Sequence, residues 1–580
     1  MENENGENVE RFVTLVLGED RFQANKRKLV DYSLYFASLF SENFNDHLQN
    51  EFKINYDITS RTLKHFLNWI NHEEDHARVV YSQKYLFFAR VSLEYFLGDH
   101  YSELMDLLEL SVVFMAERLT EQIIEMIICM RYSPDDMLEV WLLAENLGLK
   151  VLRDVALATC LDRFDELSSL LLVKLPAENF LKLLLNVNVR SSTENLQQAL
   201  EKWKMHNDIP KDLPDAFLRF VNGDPDFVRL VLQQKKKSYV QCITGRKEDG
   251  SFGIWSWNGQ NFCEMAEMTK AQIHTMLEDN GREMVGFQVI GRGFNIYFVG
   301  GEQGLGSGRY NITVWRYCPF SKKWYILTEL RRKRRHMAVA FIENKLYLFG
   351  GVGHHRCKVL TVDIFDVHTE KWSDGQRIPH EFTRLPTSCV LKKHKFIYFY
   401  SHYYIYDPSR NHWSQFFVSE DEIIWPHSLI EDRDISIIGS SRNKKKDGLK
   451  TYCVITTEYE NGVKAQMDTT NPPASAFIHI SPSFETDGEW EFDQQFMPKW
   501  PHIISFGHSK KKVVIEVAEL IRTLDDDKPI VKYLPLKVYS TTLQSITDRG
   551  FNERLGLTNL LNPECLHKIL PVPEQASISV

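Results

Sequence analysis

Two stretches of this chain spell the same hairpin, and each ends in a pair of glycines. One runs from Met337 to Phe341, turns at Glu343-Asn344, and returns as Leu346-Tyr347-Leu348-Phe349 into Gly350-Gly351. Phe365 follows, and seven residues after it comes Trp372. The earlier copy ends at Gly300-Gly301 and carries Tyr317 and Trp324 in the same relation. Self-similarity at a period of about 50 residues marks a β-propeller, a ring of four-stranded sheets that serves as a platform for gripping partners.

Weaker copies extend the array. Cys389 to Leu391 turns at Lys392–His394 and returns through Phe396 to Tyr400; Tyr400-Ser401 replaces the glycines, yet Tyr406 and Trp413 keep the spacing. Further hairpins are read at Tyr239–Gly245, Ser428–Gly439 and Ile503–Val517, which makes about six sheets, several of them degenerate. Thr451–Pro501 and the tail after Thr547 fit no repeat. A strand near Leu566–Leu570 is expected to join the first sheet, since an uncovered edge is a liability. Glycine suits a crowded backbone that must turn sharply. The Tyr/Phe and Trp positions supply aromatic area for the wedge between neighbouring sheets, so these ten residues are read as structural.

The chain has 580 residues, too many for one core, and its 43% hydrophobic and 25% charged residues are those of an ordinary globular protein. There is no apolar stretch of about 18 residues to span a membrane, and no basic-then-apolar leader. The nine cysteines include no Cys-x-x-Cys pair, which suits a reducing compartment. Charge divides unevenly: residues 1–230 hold 24 basic against 38 acidic residues, and the remainder 45 against 40. A boundary near residue 230 follows. The acidic half argues against nucleic acid as a partner, because phosphate contacts need clustered Lys and Arg.

Ahead of that boundary, Val13–Leu17, a Gly18-Glu19-Asp20 turn and a strand into Phe22 are followed by helical patterning. Tyr101–Met130 reads as a helix pair. Ser133-Pro134-Asp135-Asp136 is a helix start, with Ser as N-cap, Pro at the first position and two acids at the positive end of the dipole; Gly148 stops that helix. More helices cover Val151–Phe164, Ala177–Leu185 and Thr193–Lys204, together an all-α bundle.

This order of parts resembles the BTB–BACK–Kelch (Kelch-like) family. BTB character shows in Val13–Leu17, Phe22-Gln23-Ala24-Asn25-Lys26 and Tyr35–Phe40, and BACK character in Leu175-Pro176 to Leu184 and Leu213–Leu232. The resemblance implies a short disordered start (1–8), an α/β BTB domain (9–131), an all-α BACK bundle (132–232), an all-β Kelch propeller (233–571) and a tail (572–580). Members commonly act as substrate adaptors of cullin-based ubiquitin ligases, the BTB and BACK domains holding the cullin and the propeller the protein to be ubiquitinated. The family's hydrophobic-x-Glu cullin contact falls here on Phe44-Asn45-Asp46, with the acid one methylene shorter. Phe12 and Asn25 stand where the family usually has Asp and His, and His72–His100 looks like an insertion. Only about a dozen residues precede Val13, which leaves little material for the family's swapped-helix homodimer.

Gly304-Leu305-Gly306-Ser307-Gly308 has neither the Rossmann spacing nor a Gly-Lys-Ser/Thr and is read as a loop. No Gly-x-Ser-x-Gly elbow and no metal-spaced cluster appears, and His354-His355 is read as an exposed loop. No cofactor or metal is expected. The strongest charge run, Arg331–Arg335, reads as a connecting loop between sheets. By the family's register, Arg334, Arg335 and Arg384 are the candidates for gripping an acidic peptide, since guanidinium forks match carboxylates. The expectation is a non-catalytic adaptor bound to a cullin scaffold and an unidentified protein substrate. It is placed in the cytoplasm, with the nucleus as the alternative. A cytoskeletal or scaffolding protein, binding actin, is the other reading.

Overall fold

The computed structural model describes residues 11–41, 49–79, 101–130, 132–207, 239–246, 251–257, 262–269, 272, 284–383, 386, 388–391, 394–399, 402–417, 423–430, 434–442, 450–458, 462–466, 476–480, 503–509, 512–525, 528–541 and 557–569. The chain forms two compact units that part after Cys160.

In the first unit, β1 (Phe12–Leu17) pairs antiparallel with β2 (Asp20–Asn25) and parallel with β3 (Glu51–Lys53). Val13 and Leu15 point into the core, as the alternation predicts. Asn25, read from sequence as a departure, caps α1 (Lys26–Tyr32), its side chain accepting from the Arg27 and Lys28 amides at 3.0 and 3.2 Å. Ser33 caps α2 (Leu34–Leu39) and donates to the Phe114 carbonyl at 2.6 Å. That places Phe36, fully buried, between the rings of Phe40, Phe66 and Phe114. α3 (Ser60–Val79) covers this core, and α4 (Tyr101–Val113) with α5 (Glu117–Cys129) is the expected helix pair. α6 (Pro134–Leu147) begins with the expected cap, a reciprocal Ser133–Asp136 box, and stops at left-handed Gly148.

α7 (Lys150–Asp162) carries the chain into the second unit. There α8 (Ser169–Leu172), α9 (Ala177–Leu184) and α10 (Thr193–His206) pack through Phe180 stacked on Trp203, centroids 5.1 Å apart. The Trp203 indole donates to the Leu175 carbonyl at 3.0 Å.

Among the described residues the strands then form six four-stranded antiparallel sheets, the first made of β4 (Tyr239–Arg246), β5 (Phe252–Trp257), β6 (Phe262–Met268) and Leu557–Leu561, while β7 (Met284–Val285) and β10 (Glu302–Gln303) pair with each other. In the second, β8 (Gln288–Arg292), β9 (Asn295–Val299), β11 (Thr313–Cys318) and β12 (Lys323–Glu329) run in order. The third is β13 (Ala338–Ile342), β14 (Lys345–Phe349), β15 (Val362–Asp366) and β16 (Lys371–Gly375). The seven-residue aromatic spacing is a cross-strand pair: Tyr317 faces Trp324, Phe365 faces Trp372, and Tyr406 faces Trp413, with centroids 5.1, 4.9 and 5.0 Å apart. These rings also tie each sheet to the one before it. Trp372 Nε1 donates to Thr328 Oγ1, Trp413 Nε1 to the Gln376 carbonyl and Tyr317 Oη to the Met265 carbonyl, each at 3.1 Å. The glycine pair closes against the neighbouring chain: Gly351 has φ +100°, and a Cβ there would sit 2.6 Å from the Arg335 carbonyl oxygen.

Three expectations need correction. Tyr239–Arg246 is a single strand, β4, not a hairpin. Residues read as outside any repeat hold Lys450–Glu458 and Gly462–Gln466, which complete the fifth sheet, and Ala476–Ile480, which begins the sixth. The strand that joins β4 from the chain's far end is Leu557–Leu561, not Leu566–Leu570. Asn562 and Pro563 end it in a tight turn, and the following residues lie against 186–188 instead.

Candidate functional site

A four-stranded meander has two sides. In the second and third sheets, the turns between first and second strands and between third and fourth lie on one side; the longer connections lie on the other.

The short-turn side is occupied by the helical segment of the same unit. Asp162 takes Arg190 Nη1 at 2.8 Å on one oxygen and Arg292 Nη1 at 2.6 Å on the other. Arg292 Nε reaches on to the Glu343 carbonyl, 2.6 Å away. Although burial opposes it, these two guanidiniums hold the Asp162 carboxyl far below the usual carboxylate range. His368 Nδ1 stands 2.8 Å from Glu166 Oε1. Burial first, then Arg292 and Arg163, push the His368 pKa down to about 4, so the neutral ring donates its Nδ1–H. Asn186 and Asn188 donate to the Leu566 and Cys565 carbonyls at 2.7 and 2.9 Å.

The long-connection side comprises residues 300–312, 330–337, 350–361 and 376–383. Arg331–Arg335 connects β12 to β13, as expected, but its residues divide. Arg334 is fully buried. Its guanidinium donates to the Leu348, Gly350 and Thr361 carbonyls at 3.2, 3.2 and 3.3 Å and pairs with Asp363, also buried. Burial lowers its pKa to about 10, with Asp363 opposing the shift. Arg334 is thus an internal tie, which corrects its reading as a grip for an external acid. Arg335, 6% exposed, has Nε 2.7 Å from Glu302 Oε2. Glu302 is buried too and accepts from the Gly306 and Gly308 amides at 3.0 and 2.8 Å, so the glycine loop is organised around a carboxylate. Arg384 lies outside the described residues.

The basic side chains that face outward here are Arg309, Arg331, Lys333, His354, His355, Arg356, Lys358, Arg377 and His380, with Glu381 exposed among them. His354-His355 is exposed, as expected. Arg331 and Arg332 meet Asp374 at 3.0 and 3.1 Å, and Lys358 pairs with Glu381. Sequence reasoning missed Asp162, Arg292 and Glu302 altogether. Asp162 and Arg292 are 130 residues apart, so no local pattern joins them. Asp363 had a signal, a lone acid inside Val362-Asp363-Ile364-Phe365.

Phe44-Asn45-Asp46 lies outside the described residues, as do Tyr85–Phe88 and Leu213–Leu232. Leu34 and Tyr56, which flank Phe44 in sequence, are 57% and 41% exposed, and Met115 is 49% exposed. The Leu34 amide donates to the Met115 carbonyl at 3.4 Å, and the Tyr35 and Tyr56 rings are 6.0 Å apart. An apolar patch therefore surrounds the start of α2. Among the described residues, no group of three His, Cys, Asp or Glu could hold a metal ion.

Comparison with known proteins agrees with both ends of the chain. Residues 11–86 match the BTB/POZ domain, and residues 333–377 match the Kelch motif, a stretch that contains the third sheet. Kelch-like protein 25 of Xenopus tropicalis is 26% identical over 132 residues, a match spanning 22% of this chain and 22% of the relative. A BTB/POZ match near one end and a Kelch motif in the later strand region support a place for this chain in the BTB–Kelch family.

Proposed function

We propose that this protein is a non-catalytic adaptor of a cullin-based ubiquitin ligase. Its first unit binds the cullin scaffold and its strand array presents the protein to be ubiquitinated. The observation that carries the reading is the two-sidedness of the second unit. Asp162 and Glu166, with Asn186 and Asn188 from the turn after α9, take up the short-turn side and the chain end. The long-connection side keeps Arg309, Arg331, Lys333 and the His354–Arg356 turn exposed. A platform needs that asymmetry. In this reading the six sheets make a propeller closed by Leu557–Leu561, and 132–232 is the BACK-type bundle.

Cullin contact is assigned to Phe44-Asn45-Asp46 together with Leu34, Tyr56 and Met115, since a solvent-facing apolar cluster of this kind marks a binding surface. A cytoplasmic location accords with the free cysteines, six among the described residues. Purified protein mixed with a cullin N-terminal region tests the assignment. Binding in the micromolar range or tighter, weakened by Phe44→Ala, supports it. No binding, with co-sedimentation on actin filaments, would favour a cytoskeletal scaffold instead.

A further inference from the structure

On the short-turn side, three parts of the second unit meet around one glycine. Gly293, at the turn between β8 and β9, has φ +56°, and a Cβ there would stand 3.1 Å from Asp162 Oδ1. Its carbonyl accepts from the Leu561 amide at 2.9 Å. Asp162 ends α7 and takes Arg190 from the helical segment on one oxygen and Arg292 from the strand array on the other. The chain end completes the arrangement: the Val187 amide donates to the Lys568 carbonyl at 3.1 Å, beside the Asn186 and Asn188 bonds to Leu566 and Cys565. We propose that these groups form a fixed joint, with Asp162 and Arg292 as positioning residues. The joint locks residues 161–207 and the strand array into one body, and so fixes the direction in which the array presents its target relative to the helical segment. The lock stands on these contacts; its consequence for a target rests on the adaptor reading.

A single pin would leave the array free to swivel. Here the pins lie on separate connections. Arg292 holds the second sheet to Asp162, and its Nε runs on to the Glu343 carbonyl, 2.6 Å away at the first turn of the third sheet. His368, at the other short turn of the third sheet, meets Glu166 at 2.8 Å, and Arg163 holds that same carboxylate at 2.6 and 3.2 Å. The chain end is the third pin. The central ions are withdrawn from water: the Arg292, Arg190 and Asp162 side chains are 8%, 13% and 16% exposed. An exposed ion pair exchanges readily with solvent and fixes little, whereas a buried one resists separation because each charge would be left uncompensated. The planar guanidinium adds direction to that resistance, since its donors leave in fixed directions.

The test uses the full chain. Nitroxide labels at Met205→Cys, on α10, and Ser373→Cys, on β16, both exposed positions, report the distance across the joint by pulsed electron resonance. The parent without these two changes, labelled in the same way, supplies the background. The intact joint should give one narrow distance. Arg292→Gln, and Gly293→Ala, which sets a methyl against Asp162, should each at least double the width of the distribution. Hydrogen exchange across 186–190 should rise at least tenfold in both, while Ala338–Phe349 exchange as in the wild type. Gly306→Ala is the control: it strains a left-handed backbone too, at φ +83°, but its Cβ would meet nothing within 4 Å, and it should leave both readouts unchanged. A wild-type distribution in both joint variants would overturn the proposal. So would exchange that rises equally in the third sheet, the mark of groups that merely stabilise the fold. Neither cullin nor target enters these measurements, so a chain that failed to bind cullin would leave their result standing.

Discussion

Arg334 and Asp363 give the sharpest handle on the strand array. Removing the carboxylate, as in Asp363→Leu, leaves a fully buried guanidinium with three carbonyls and a hydroxyl but no counter-ion, and takes from Arg332 one of its two carboxylates. Breaking a buried pair in this way costs about 3–5 kcal/mol. Set against a typical domain stability of about 5–15 kcal/mol, that is a large loss. The double change Arg334→Met with Asp363→Leu replaces both charges by apolar groups and should recover most of it, because a buried ion pair and a well-packed apolar pair differ little in net stability. Asp374→Leu is the control: its carboxylate pairs at the surface with Arg331 and Arg332, and exposed pairs contribute about 0–1 kcal/mol. Urea unfolding followed by tryptophan fluorescence measures all three. If Asp363→Leu lost no more than Asp374→Leu, or if the double variant were worse than Asp363→Leu alone, the internal-tie assignment would be refuted.

Other consequences can be checked in the same preparation. His368 is pushed down to about 4 in the folded protein, from an unperturbed value of about 6.5, so the unfolded chain binds the extra proton between these values. Stability should therefore fall as pH drops from about 6.5 towards 4, by up to about 1.4 kcal/mol per pH unit, and His368→Gln should flatten that slope in denaturation series. Gly351→Ala, at φ +100° with its Cβ against the Arg335 carbonyl, should lose about 1–3 kcal/mol from backbone strain alone, with more from the clash; an unchanged melting temperature would contradict the packing. Asn186→Ala removes a buried bond to the Leu566 carbonyl worth about 1–3 kcal/mol and should speed hydrogen exchange across Leu557–Leu561.

What was legible from sequence was local. The seven-residue aromatic spacing became cross-strand pairs because residues that far apart face each other across a short hairpin. The Ser133 cap and Gly148 stop depend only on neighbouring atoms. Tyr406 and Trp413 kept their places even where Tyr400-Ser401 replaced the glycines, since aromatic packing between sheets does not require the pair itself. What was not legible was long-range. Leu557–Leu561 joins a strand more than 300 residues earlier, and nothing in Leu-Thr-Asn-Leu-Leu announces that partner. The binding side suffered the same limit. A run such as Arg331–Arg335 shows charge but not which members turn inward, and the structure buries Arg334 and Arg335 while Arg331 and Lys333 face out.

The central claim is that one chain holds a cullin through its first unit and a target through its strand array. Titration calorimetry of the full chain with a cullin N-terminal region tests it most directly, run on wild type, Phe44→Ala, Leu34→Asp and Arg309→Glu/Arg356→Glu. The account predicts micromolar or tighter binding, at least tenfold weaker for the first two variants and unchanged for the third. No measurable heat with wild-type protein, or equal loss in all three variants, would contradict it.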